Sequence, residues 1–219
     1  MHLVLFYLTF CFLNAAYVMD PTKHEDVREF AYGSGLLNPT KAVDPGLVFD
    51  ASLSYYIDFL CKQGYNTSTL RLVTGEHSVC KSTKAGRGWD FNYPSLSLAI
   101  EDGQKISGIF TRTVTNVGSP NSTYHAKIDK PDPLNLTVEP SVLSFSAVGD
   151  KKTFIVNVKG KHITQVPIVS DSISWIDGVH MVRTPLVVYT VLPSAFANNP
   201  SHQITNLAPK KISVNSNVV

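Results

Sequence analysis

The chain has 219 residues, 43% of them hydrophobic and 16% charged, with a formal net charge of +2. That apolar share can bury a core and excludes bulk disorder, while thirteen glycines and thirteen prolines are too few for a collagen-like or low-complexity chain. The nineteen basic residues are dispersed with no run of four, which excludes the electrostatic footprint of a nucleic-acid binder.

Taken in chain order, Leu3 to Leu13 is apolar or aromatic apart from Thr9. Eleven residues suit the hydrophobic region of a signal peptide and are too few for a membrane span. No basic residue precedes the stretch and Asn14-Ala15-Ala16 is only a loose cleavage site, so a buried segment or a gene-model artefact is the alternative. Nothing else approaches the length of a transmembrane helix. Asp20 to Glu29 is polar, and Phe30 to Asp50 is turn-rich, with Gly33-Ser34-Gly35, Asn38-Pro39 and Asp44-Pro45-Gly46. So many Gly and Pro punctuators predict irregular chain lying against something else.

Leu53, Tyr56, Ile57 and Leu60 recur at i, i+3, i+4 and i+7 and predict a helix. Asp50 or Ser52 caps its start, and Gly64 ends it in the left-handed conformation. A shorter helical turn is predicted from Ser68 to Val73, stopped near Gly75, and Lys81 to Gly88 reads as a basic linker. Of the three cysteines, Cys11 lies in the apolar start, which leaves Cys61 and Cys80 either to pair or to stay as buried thiols. A bridge would close 18 intervening residues, worth about 3 kcal/mol by chain entropy. The sequons at Asn66, Asn121 and Asn135 favour a secretory route, and with it both the bridge and glycosylation at those three sites.

From Phe91 the period becomes two. Leu96, Leu98 and Ile100 alternate with Ser95, Ser97 and Ala99. Leu134, Leu136 and Val138 alternate with polar residues, as do Phe154, Val156 and Val158 apart from Ile155. Ile173 shares a face with Trp175, and Leu186 with Val188. Turn signals at Asp102-Gly103, Gly118-Ser119-Pro120, Gly149-Asp150 and Asp177-Gly178 separate the runs, the last read as a two-residue hairpin. Seven or eight short strands in about 100 residues describe an antiparallel β-sandwich of immunoglobulin or fibronectin type III kind. The alternation puts Asn135 outward, and beyond Pro193 the tail reads as disordered.

Catalytic motifs are not found. The sequence holds no Gly-x-Ser-x-Gly elbow, His-Glu-x-x-His or phosphate-cradling glycine loop, and none of its seven histidines lies in a glycine-flanked turn beside a nucleophile. Cys61 and Cys80 lack zinc-site spacing, so no metal and no cofactor is expected. Asp177 and His180 stand three apart, which a turn explains without chemistry.

Phe30-Ala31-Tyr32-Gly33-Ser34-Gly35 and Pro45-Gly46-Leu47-Val48-Phe49-Asp50 resemble the end of the catalytic domain of plant subtilisin-like serine proteases of cucumisin type. Phe59-Leu60-Cys61 with Gly64-Tyr65 resembles the helix that follows it. Asn92-Tyr93-Pro94-Ser95, Arg112-Thr113-Val114-Thr115-Asn116-Val117-Gly118 and the stretch from Trp175 through Asp177, Gly178 and His180 to Pro185 resemble that family's fibronectin III-like domain. The match runs from about Ala16 to Val191. It implies a mainly β fold, with a short helical or irregular remnant of a subtilisin-type α/β domain before the sandwich.

The expected division is an apolar start at 1–15, the remnant at 16–50, helix and linker at 51–90, the sandwich at 91–192 and a tail at 193–219. The family's Asp-Thr-Gly, His-Gly-Thr-His and Gly-Thr-Ser-Met triad segments are absent from this sequence, so no catalytic residue carries over. The resemblance therefore implies a non-catalytic piece of a truncated gene or gene model of a secreted, apoplastic or cell-wall subtilase. Its partner would be a subtilase catalytic domain, in cis or in trans. A stand-alone secreted binding module that partners or regulates a full-length subtilase is the alternative, and an active peptidase is the third reading. If 16–50 is a severed edge, Phe30, Tyr32, Leu36, Leu37, Leu47 and Val48 should form an exposed apolar patch.

Overall fold

The computed structural model describes residues 29–35, 38–80, 91–128, 134–163 and 168–191, with the backbone alone for 31–32. The apolar start, Cys11, Leu36, Leu37, the side chain of Tyr32, the 81–90 linker and the tail lie outside the described residues. Among the described residues two single-turn helices come first, α1 (Glu29–Tyr32) and α2 (Pro39–Ala42), the latter opened by Asn38, whose side chain accepts the Lys41 N–H. A two-residue strand β1 (Leu47–Val48) follows, then α3 (Leu53–Lys62) and α4 (Thr67–Thr74).

Both helix ends are built as the glycines imply. After α3, Gly64 at φ +91° lets its own N–H reach Cys61 O while the Tyr65 N–H reaches Leu60 O, a Schellman closure. Asn66 then caps α4 by accepting the Thr69 N–H at 2.9 Å, and Gly75 ends it in the left-handed region. At the start of α3, Ser52 holds the capping position but makes no side-chain cap, and Asp50 is engaged elsewhere. Of the predicted apolar face, Leu53 is more than half exposed while Tyr56 tilts onto Phe91, joined there by Phe59 from outside that face.

Eight further strands build the sandwich: β2 (Leu96–Glu101), β3 (Lys105–Asn116), β4 (Ser122–Ile128), β5 (Leu134–Glu139), β6 (Val142–Phe145), β7 (Lys151–His162), β8 (Ile168–Ile176) and β9 (Met181–Val191). One sheet runs β1-β3-β7-β5 and the other β2-β9-β8-β4-β6. All pairs are antiparallel except β2 with β9, where Leu96 stands opposite Leu186 and the two strands run together to Glu101 and Val191. The period-two residues meet between the sheets, with Phe154 edge-on to Trp175 at 5.0 Å between ring centroids.

Two expectations are corrected. Leu47 and Val48 are buried, at 2% and 3% exposure, because β1 pairs with β3 (Leu47 opposite Asn116) and Phe49 reaches the shared core beside Phe154. They therefore belong to no exposed patch, whereas Phe30 is 61% exposed even as it packs edge-on to Tyr189. Asp177-Gly178 is not a two-residue hairpin. Ile176 pairs with Met181, and the four residues between are held because Asp177 Oδ1 accepts the N–H groups of Val179 and His180.

Candidate functional site

The turn Asp44-Pro45-Gly46 leads into β1 and presses against the β8–β9 loop. Gly46 has φ +76°, and its carbonyl accepts the N–H groups of Val117 and Gly118 at 2.8 and 3.0 Å. A Cβ there would stand 2.6 Å from Tyr124 Oη and 2.7 Å from His180 Cγ, so the contact requires glycine twice over, for its dihedral and for its size. On the far side of this contact sits the His180 ring, only 9% exposed.

That ring lies between two carboxylates. Its Nδ1 is 2.8 Å from Asp177 Oδ2, and its Nε2 is 3.2 Å from Asp44 Oδ2, an ion-pair distance whose alignment falls short of a hydrogen bond. Tyr124 Oη stands 3.4 Å from Nδ1. Burial disfavours the imidazolium, yet Asp177 and Asp44 outweigh it and raise the His180 pKa above its ordinary value. Burial likewise opposes ionised Asp177, but the bonds it accepts from the His180 ring, the backbone of His180 and Val179, and Tyr124 hold its pKa below the ordinary carboxylate value. Tyr124 is pushed up, first by burial and then by the charge of Asp177.

A general base needs one ring nitrogen free to take a proton from a nucleophile. Here each nitrogen faces a carboxylate, and among the described residues no Ser, Thr or Cys is hydrogen-bonded to the ring. Thr40, on the same edge, donates its hydroxyl to Asn38. The contacts at the ring are charge pairing between two parts of the chain.

A second set of pins lies along β3. The Asn92 amide donates to Asp50 O (2.8 Å) and Thr113 O (2.9 Å) and accepts the Thr113 N–H (2.9 Å). The Asp50 carboxylate takes the Thr115 hydroxyl and Lys151 Nζ. Buried Arg112 donates to the carbonyls of Tyr93, Thr111 and Ser95 and lies over the Phe110 ring. The Asn116 side chain donates to Ser119 O in the β3–β4 turn and to Ala147 O in the β6–β7 turn. Between α3 and β2 runs a groove of about 530 Å³ walled by Tyr56, Phe59, Phe91, Tyr93 and Tyr189.

Cys61 and Cys80 are joined as a disulfide, which fastens the end of α3 to the chain after α4. Asn66 caps α4, Asn121 sits in the turn before β4 at φ +56°, and Asn135 faces outward on β5; all three are exposed and stand on separate elements. Asp44, Tyr124, Asp50 and Asn92 carry structural roles that sequence reasoning did not assign. Asp44 was visible only as the first residue of a turn, and no spacing links it to a histidine 136 positions later. Among the described residues no cluster of His, Cys, Asp and Glu is placed to hold a metal, and no helix is long and apolar enough to cross a membrane.

Residues 90–188 match the fibronectin type-III domain family. The chain is 40% identical over 172 residues to subtilisin-like protease SBT4.3 of Arabidopsis thaliana, covering 78% of this chain and 23% of that protein. It is 44% identical over 165 residues to SBT4.14 (74% and 22%) and 41% identical over 182 residues to SBT4.10 (81% and 26%), both from the same plant. The chain thus spans about a quarter of the length of these curated relatives, and it matches their C-terminal region.

Proposed function

We propose that this chain, a fibronectin type III domain that resembles the C-terminal region of plant subtilisin-like proteases, is the non-catalytic accessory region of a secreted subtilisin-like serine endopeptidase. The observation that carries the reading is the course of residues 44–51. The stretch that resembles the end of the protease domain does not hang off the sandwich but supplies a strand and core residues to it. A catalytic domain joined to this stretch would be held to the sandwich through Asp44, Gly46, Leu47, Phe49 and Asp50 rather than through a linker. The partner is that catalytic domain, in the same polypeptide or supplied by another, and the role is to support its folding and activity.

The triad segments of the family do not occur in this sequence, and the His180 environment has the character of a structural ion pair. A disulfide and three exposed sequons support an extracellular setting, with glycans at Asn66, Asn121 and Asn135. Purified chain is expected to stay unlabelled by a serine-directed fluorophosphonate; stoichiometric labelling would overturn the non-catalytic reading.

The aromatic groove favours a second reading, a stand-alone secreted module that binds a partner. Recovery of the chain from extracellular fluid in complex with a separate full-length subtilase would support that reading over the first.

A further inference from the structure

The strongest unused feature is the pairing at His180, because it joins two segments far apart in sequence and does so with a titratable group. Segment 38–46 contributes Asp44 and Lys41, the β8–β9 loop contributes Asp177, and β4 contributes Tyr124; these are the charged and titratable groups that face the ring or line its edge. Thr40, Pro45, Val179 and Met181 complete the small pocket of about 140 Å³ around it and carry no charge.

Two carboxylates at the two ring nitrogens require two N–H donors. Only the imidazolium has both, since a neutral imidazole keeps one N–H and presents a lone pair at the other nitrogen. The two carboxylates are not equivalent. Asp177 is 9% exposed and fixed by two backbone N–H groups, so it retains Nδ1–H whichever charge the ring carries. Asp44 is 68% exposed and meets Nε2 at its poorer geometry. Loss of the ring proton therefore leaves Asp44 facing a lone pair, and the proton leaves to solvent on the Asp44 side.

We propose that His180 is a pH-released clasp: as the imidazolium it holds Asp44, and with it residues 38–46, against the sandwich, and as neutral imidazole it lets them go. The clasp is a property of this chain's own fold and does not depend on the accessory-region reading. Release is local, because the ladder between β1 and β3 and the burial of Leu47 to Phe49 are unaffected by the ring's charge. The loosened part is α2 and the Asp44-Pro45-Gly46 turn.

The test uses the full oxidised chain. The Val117 and Gly118 amides donate to Gly46 O and report directly on the turn. In wild type, their hydrogen-exchange protection factors should fall about two- to fivefold, the scale of one exposed ion pair, as pH rises through the His180 midpoint read by NMR. In Asp44→Asn, an exposed substitution that leaves the core intact, protection should sit at the lower level at every pH and the His180 midpoint should move down. His180→Gln, with a single neutral donor, should also show flat protection. Equal pH dependence in wild type and Asp44→Asn, or an unmoved His180 midpoint, overturns the clasp.

Discussion

Asn92 uses its whole amide at one point, two donors and one acceptor, to join Asp50 to β3. Asn92→Ala would leave the Thr113 N–H and two carbonyls without those bonds, at about 1–3 kcal/mol for each buried group left unpaired. A loss of about 2–4 kcal/mol in urea unfolding is expected, and a loss under 1 kcal/mol would show that water replaces the amide. Gly46→Ala adds a clash to a strained dihedral and should cost at least about 2 kcal/mol. The charged pair next to it gives stability a pH signature. Asp177, with its pKa lowered, contributes above the ordinary carboxylate value of about 3.9, and that contribution fades as pH falls through its folded-state pKa. His180, with its pKa raised, contributes fully below about 6.5 and loses that contribution as pH rises through its folded-state pKa. The urea midpoint should therefore be highest between about pH 4 and 6.5, and His180→Gln should flatten its alkaline limb.

At the scale of elements, what the sequence shows depends on how many faces are buried. In β2, β5 and β7 one face meets the core and the other stays largely accessible, and the alternation of Leu96-Leu98-Ile100, Leu134-Leu136-Val138 and Phe154-Val156-Val158 is plain. Strand β8 is buried on both faces, with Ser172 and Ser174 as covered as Ile173 and Trp175, so polarity no longer marks the outside. Part of that cover is visible at Arg183, which donates to Ser172 Oγ and to Ser34 O. Strand β1 was hidden for another reason: two residues flanked by turn formers have no period, and only pairing with Asn116 and Thr115 makes them a strand. Of the His180 cluster the sequence showed only Asp177, three residues away, because Asp44 and Tyr124 come from distant places in the chain. The disulfide acts on the helical region alone. Replacing Cys61 and Cys80 by serine should cost about 3 kcal/mol of chain-entropy stabilisation and speed exchange in α3 and α4. The Leu186 and Val188 methyl resonances should stay in place, and their loss would mean that helices and sandwich unfold as one unit.

For the whole molecule, β1 pairs with β3 in one sheet, so the sandwich includes a strand that lies ahead of Phe91 in the chain. Leu47, Phe49 and Ala51 contribute to its buried set, so a fragment starting at residue 91 would expose core surface that residues 45–51 now cover. The helices α3 and α4 then form an excursion between the first strand and the second, its two ends tied by the Asn92 bond to Asp50 O and its interior braced by the disulfide. This arrangement joins what resembles the end of a protease domain to the fibronectin type-III domain by shared β-structure, which a flexible tether could not do. The most direct test is a chimera in which residues 16–191 replace the matching stretch of SBT4.3, measured by fluorophosphonate labelling of the secreted product. The expected result is labelling of the chimera where SBT4.3 lacking that stretch gives none; a chimera as unlabelled as the deletion would contradict the accessory role.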